Sequence, residues 1–239
     1  MRKNQHFNIL LSGLLLLCSM VGFSQVTLTA TSGTATGSFT TLKGAFDALN
    51  LGTHIGVIEI KINANTTETA SASLTASGVS APSYTSVTIY PTTTGLSITG
   101  NLAAPLINLN GADNVTIDGR VNATGSRLNM GLTITNTSAL ATAGTSTIRF
   151  IGDASSNIVQ YCTLKGSSTD ASAGVEFFST ATTTGNDNNT ITNNDITCAA
   201  DASRPLNAVF ALGTTLKNNE TNTISNNNIY NYLSKVNAS

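Results

Sequence analysis

Charge is what this chain has least of. Only 10% of its 239 residues are Asp, Glu, Lys or Arg, and the eleven basic side chains are scattered. No Lys/Arg cluster could release counterions from a phosphate backbone, which excludes a nucleic-acid binder or a protein held on an anionic membrane. Histidine is equally scarce: beyond Ser24 there is only His54. Neither a Ser nucleophile paired with His nor a Cys/His zinc tetrad therefore has the residues it needs. A glycine-rich phosphate loop is missing as well. The longest apolar run, residues 9–23, is shorter than the ~20 residues of a membrane span.

That run follows the basic stretch Met1-Arg-Lys-Asn-Gln-His-Phe-Asn8, and small residues, Gly22 and Ser24, stand just before Gln25. The pattern predicts a cleaved secretory signal peptide over residues 1–24 and a secreted or cell-surface protein. Cys18 follows Leu17 rather than a small residue, which disfavours a lipoprotein anchor. Cleavage removes Arg2 and Lys3 and leaves nine basic against twelve acidic side chains, a net charge of −3. It also leaves two cysteines, Cys162 and Cys198. An exported protein invites a disulfide between them, but the repeat described next aligns Cys162 with Asn194. That places the thiols roughly 13 Å apart at ~3.3 Å per residue, beyond the ~7 Å a disulfide spans.

Ser, Thr, Asn, Ala and Gly supply most of the remainder, yet β-branched apolar residues recur throughout, which disordered segments do not show. One phrase occurs three times at nearly constant spacing: Asn157-Ile-Val-Gln-Tyr-Cys-Thr-Leu164, Asn189-Thr-Ile-Thr-Asn-Asn-Asp-Ile196 and Asn222-Thr-Ile-Ser-Asn-Asn-Asn-Ile229. Val159, Ile191 and Ile224 hold its third position; Leu164, Ile196 and Ile229 hold its eighth. This is a repeat array of two short strands around a polar corner. A second register, Ala173-Gly-Val-Glu-Phe-Phe178, returns one repeat later as Asn207-Ala-Val-Phe-Ala-Leu212.

Phe39, Leu42, Ala45, Phe46 and Leu49 recur at helical spacing before Gly52, predicting one amphipathic helix over about residues 40–50. From Ile55 onward short strands follow without helices between them. They include Val57-Ile-Glu-Ile-Lys-Ile62, Val87-Thr-Ile-Tyr90, Leu96-Ser-Ile98, Leu106-Ile-Asn-Leu109, Val115-Thr-Ile117, Leu132-Thr-Ile134 and Ile148-Arg-Phe-Ile151. The expected fold is all-β: a parallel β-helix (solenoid) with a short N-terminal capping helix. Its expected parts are the signal peptide (1–24), an N-terminal cap (25–55) and coils (56–239) that stop just after a repeat, as a C-terminally truncated fragment would. Inward side chains should stack in columns. Asn193, Asn194, Asn226 and Asn227 should form the corners, tolerating left-handed backbone and bonding from coil to coil as a ladder. An uncapped last coil would expose strand edges and favour self-association.

Three phrases carry a family resemblance: Phe39-Thr-Thr-Leu-Lys-Gly-Ala-Phe-Asp-Ala-Leu49, Asn114-Val-Thr-Ile-Asp-Gly-Arg120 and the Asn-x-Ile-x-Asn-Asn-x-Ile repeats. They resemble the right-handed parallel β-helix of the pectin-lyase-like superfamily, and more narrowly the N-terminal part of large exported surface proteins of Bacteroidota, which often are cargo of the type IX system. The resemblance implies the fold and leaves function open, because lyases, hydrolases, adhesins and stalks share it. The Asn-Thr-Asp, Asp-Asp, Gly-His-Gly and Arg-Ile-Lys motifs of polygalacturonase-like members do not occur here.

The best polar constellation is Asp118-Gly119-Arg120 with Asp153 further on, about one coil away. As a uronate lyase the three would form a binding site, with Ca²⁺ as cofactor acidifying the sugar α-proton and a basic side chain removing it. As corner chemistry, Asp-Gly after a strand is an ordinary turn. Tyr84, Tyr161, Tyr230 and Tyr232 are candidates for stacking on sugars or for covering apolar surface. The favoured function is an exported, non-catalytic scaffold binding a polysaccharide or a cell-surface partner, with no cofactor and no catalytic or metal-ligating residue. The alternatives are a polysaccharide lyase or hydrolase, and a ligand-free spacer.

Overall fold

A computed structural model describes residues 24–232; the signal-peptide assignment, through residue 23, lies outside them. The chain opens with an antiparallel hairpin, β1 (Val26–Gly33) and β2 (Thr36–Phe39), followed by helix α1 (Leu42–Asn50). Five three-stranded coils of a parallel β-solenoid come next. They comprise β3 (His54–Ile62), β4 (Thr66–Glu68) and β5 (Ala72–Thr75); β6 (Ser83–Pro91), β7 (Leu96–Gly100) and β8 (Ile107–Asn110); β9 (Val115–Asp118), β10 (Leu132–Asn136) and β11 (Ser146–Ile151); β12 (Ile158–Gln160), β13 (Thr163–Gly166) and β14 (Gly174–Phe178); β15 (Thr190–Thr192), β16 (Asp195–Cys198) and β17 (Val209–Ala211). A sixth coil contributes β18 (Thr223–Ser225) and β19 (Asn228–Ile229). The first, second and third strands of successive coils stack into three sheets. We refer to these as the first, second and third sheets; β1 and β2 extend the first beyond β3.

The helix forms where its spacing predicts. Thr41 Oγ1 accepts the Gly44 N–H at 3.1 Å, and the buried Glu68 carboxylate accepts the N–H groups of Leu42 (2.9 Å) and Lys43 (3.0 Å). A carboxylate at this end also complements the helix dipole. Gly52, in the left-handed region at φ 70°, ends the segment; a Cβ there would sit 2.1 Å from the Ala81 carbonyl oxygen. Leu42, Ala45, Phe46 and Leu49 are fully buried against the strands of the cap and first coil.

The inward columns hold the coils together. Leu28, Ile60, Ile89, Ile117, Val159, Ile191 and Ile224 form one. In the second sheet Ile98, Ile134, Leu164, Ile196 and Ile229 form another. In the third, Leu74, Leu109, Phe150, Phe178 and Ala211 are in register, and the two Phe rings stack at 4.7 Å. Members before the last coil are almost wholly shielded, apart from Ala211, whereas Ile224 is 48% and Ile229 41% exposed. At ~25 cal/mol per Å² each buried aliphatic contributes about 1.5–3 kcal/mol.

One register differs from the sequence spacing. Aligning Ala173 with Asn207 would pair Val175 with Val209, but Glu176 pairs with Val209 and Phe178 with Ala211, a step shorter by one position. The neighbouring corners advance by the same shorter step, from Asn189 to Asn222 and from Asn194 to Asn227, and a strand tied between such corners keeps it. The shift turns Glu176 inward. Cys162 and Cys198 are both free and buried. Thr163 pairs with Asp195 and Gly166 with Cys198, so the two thiols do sit at different heights along the strands, as the alignment requires.

Candidate functional site

Asp118 ends β9, and Gly119 turns the chain so tightly that a Cβ would meet the Tyr161 carbonyl oxygen of the next coil at 2.1 Å. Residues 120–130 then leave the solenoid as a loop closed at its base by an Arg120–Met130 bridge. The Asp118 carboxyl, 2% exposed, accepts four hydrogen bonds. They come from Arg120 N (3.0 Å), Nε (3.0 Å) and Nη2 (2.5 Å), and from Gln160 Nε2 (2.9 Å). Arg120 Nη1 donates to Gly125 O at 2.7 Å, and the guanidinium lies over the Tyr161 ring, 4.2 Å from its centroid. Hydrogen bonding to Asp118 raises the Arg120 pKa above its already high ordinary value. Arg120 thus stays protonated, and Asp118 has no oxygen position left for a cation.

The same loop reaches two coils further. Arg127 donates to the Asn193 and Asn194 carbonyls and pairs with Asp195, which also accepts from Asn228 Nδ2 at 2.9 Å. The loop therefore straps the third coil to the fifth across the corner between the first and second sheets.

Asp153 is not brought to this corner. It follows β11, on the way from the third sheet to the first, and its carboxylate accepts the N–H groups of Thr182, Thr183 and Thr184 at 2.8–3.1 Å. Desolvation opposes ionisation, but the N–H groups of Thr183, Thr182, Thr184 and Gly185 hold its pKa below the ordinary value. The spacing from Asp118 to Asp153 misleads because the loop lengthens the third coil, so that Asp118 is paired with Gln160 instead.

The asparagines do more than the corner pairs suggest. Asn193 and Asn226 are left-handed, at φ 58° and 55°, while Asn194 and Asn227 point inward as a ladder. Cys162 N–H and Asn194 N–H donate to the amide oxygens of Asn194 (2.9 Å) and Asn227 (2.8 Å), respectively. A second ladder runs through Asn157, Asn189 and Asn222, and a third through Asn186 and Asn219.

Acid groups at the corner between the third and first sheets were not evident from spacing. Asp113 accepts the Ser155 N–H and Asp187 the Glu220 N–H, each at 2.7 Å, so the carboxylates tie neighbouring turns. Burial, and then the charge of Asp153, raises the Asp113 pKa. The signal was the Asp or Glu directly before a left-handed residue at Asp113-Asn114, Asp187-Asn188 and Glu220-Thr221, although the coil between the first two has Ser155-Ser156 there. Among the described residues, no group of three His, Cys, Asp or Glu is gathered to hold a metal ion.

Of the tyrosines, Tyr84 is buried with its hydroxyl donating to Thr75 O at 2.6 Å, and burial raises its pKa. Tyr161 has one face against Arg120. Tyr230 and Tyr232 are each 45% exposed. An open cleft of about 420 Å³ is lined by Asn50, Thr75, Ser80 and Asn110 with Val79 and Pro82, and carries no charge.

These features define a parallel β-solenoid with strapped and amide-laddered corners. No family model, no curated protein and no solved structure matches the chain.

Proposed function

We propose that this chain is a non-catalytic scaffold from the N-terminal part of an exported surface protein of the pectin-lyase-like type, and that it binds a polysaccharide or a cell-surface partner. Export rests on the signal-like residues 1–24, and the family type on the cap and Asn-rich phrases already quoted. The observation that carries the binding role is the outer face of the first sheet. Thr88, Thr116, Thr190 and Thr223 share one outward row with Ile158 among them and Glu59 at its start, and Gln160, Thr192 and Ser225 share the next, which begins at the Arg120-paired Asp118. Neutral hydroxyls and amides at a strand spacing of ~4.8 Å suit the hydroxyl groups of an extended glycan. The uncharged cleft beside Asn110 has the same chemistry.

The test is retention of the purified chain on immobilised neutral and uronic polysaccharides, with ultraviolet detection of unsaturated uronate products, with and without added Ca²⁺. Retention without product, weakened by Thr190→Glu with Thr192→Glu, is expected. Unsaturated product would establish a lyase instead, and absence of retention on any polymer or cell surface a spacer.

A further inference from the structure

Glu176 stands where every other coil has an aliphatic side chain. Its column runs Ala72, Ile107, Ile148, Glu176, Val209. The residue is 0% exposed, and neither carboxyl oxygen has a hydrogen-bond partner. Unsatisfied buried polar groups are rare in folded proteins, and each one requires a reason.

The surroundings offer no counter-charge. Three strands pack against β14. β11 carries Arg149, which belongs to the outward row with Asn108 and Phe177 and donates to Asn108 Oδ1. β13 carries Lys165, next to the inward Leu164 and therefore on the outer side, and β17 carries no titratable residue. Cys162, at the corner before β13, is the group that senses the Glu176 charge. Its thiol is pushed up by burial, and further by Asp118 and Glu176. Among the described residues, no ion pair involves Glu176.

We propose that Glu176 is a pH sensor built into the solenoid wall: as a neutral acid it completes the core, and its ionisation as pH rises loosens the fourth and fifth coils. Burial alone raises its pKa well above the carboxylate range. A group raised in this way supports folding fully below its unfolded pKa, about 4.3, and that support is lost as pH climbs through the folded pKa. Within that window each pH unit weakens the folding equilibrium about tenfold, or roughly 3–5 °C of Tm for a chain this size. Other carboxylates titrate too, so the readout is the difference between the wild type and variants lacking this one proton.

Thermal melts from pH 4 to 8 on the purified chain, with Glu176→Gln and Glu176→Val, test the proposal. The wild-type Tm should fall with pH relative to both variants, the gap widening by the slope above. Amide exchange, corrected for its intrinsic pH dependence, should show β14 and β17 losing about tenfold protection per unit in the wild type only. If Glu176→Gln does not fold, Glu176→Val, which restores the column, still serves. An infrared carbonyl band of a neutral carboxylic acid near neutral pH, absent from the variants, is the independent signature. Parallel melting curves for wild type and variants, or absence of that band at every pH where the chain is folded, would overturn the proposal.

Discussion

Asn189 and Asn193 lie close together in one repeat and hold unlike positions, so their substitutions should separate cleanly. The Asn189 side chain is fully buried. Its Oδ1 accepts from Asn157 N and Asn157 Nδ2, both at 3.0 Å, and its Nδ2 donates to Ala154 O at 2.9 Å. Asn189→Ala removes three hydrogen bonds and leaves the Asn157 N–H and the Ala154 carbonyl without these partners in a dry corner. At about 1–3 kcal/mol for each of these two orphaned groups, the loss is about 2–6 kcal/mol. Asn193 is held in place by its backbone, at φ 58°, and its amide makes one bond, 3.1 Å to its neighbour Thr192. Asn193→Gly relieves the left-handed strain at little cost, within about 1 kcal/mol either way. At roughly 2–4 °C per kcal/mol, Asn189→Ala should lower Tm by at least roughly 4 °C while Asn193→Gly barely moves it. Circular dichroism melts give the comparison, and amide exchange at Asn157 should rise in the first variant only. Equal shifts would show that the inward amides carry no more than the corner residues do.

Ile191→Asp should unfold the coils on either side of it, because an unpaired charge would enter the column between Val159 and Ile224. Thr192→Asp, at the next position and facing outward, should melt close to wild type; equivalence of the two would invalidate the inward register. The exposed Ile224 and Ile229, on β18 and β19 at the ends of their sheets among the described residues, should make the purified chain self-associate. Light scattering should show larger species that shrink with Ile224→Lys and Ile229→Lys together, and a monodisperse wild-type monomer would contradict this.

The helix, the strands and the first two columns were legible because β-branched residues alternate there and the repeat is nearly constant. Asn193, Asn194, Asn226 and Asn227 were legible for the same reason. The β1–β2 hairpin was not: Val26 and Leu28 alternate at the start of β1, but the Thr, Ser and Gly residues that follow and make most of β2 show no face. Nor was the strap: residues 120–130 have no apolar period, and Arg127 finds Asp195 two coils away. Asp118 and Arg120 were found as a pair, but that they occupy one another depends on Gln160 and Tyr161 arriving from the next coil. Glu176 escaped notice because the sequence alignment sets Val175 against Val209 and turns the glutamate outward; a single position of register reverses the face.

The amide ladders have a direction. In each, the main-chain N–H of one coil is received by the asparagine oxygen of the coil that follows it: Val115 by Asn157, Asn157 by Asn189, Asn189 by Asn222. In the ladders a coil's main-chain N–H is therefore received by its successor, whereas the acid corners run the other way, Asp113 receiving the Ser155 N–H and Asp187 the Glu220 N–H of the coil that follows. A chain emerging N-terminus first adds each turn onto a helix-capped stack but leaves the newest turn one bond short in each amide ladder until more sequence arrives. Growth is vectorial and loss runs the other way, so a solenoid built in this manner frays from its youngest coil while the helix-capped end stays closed.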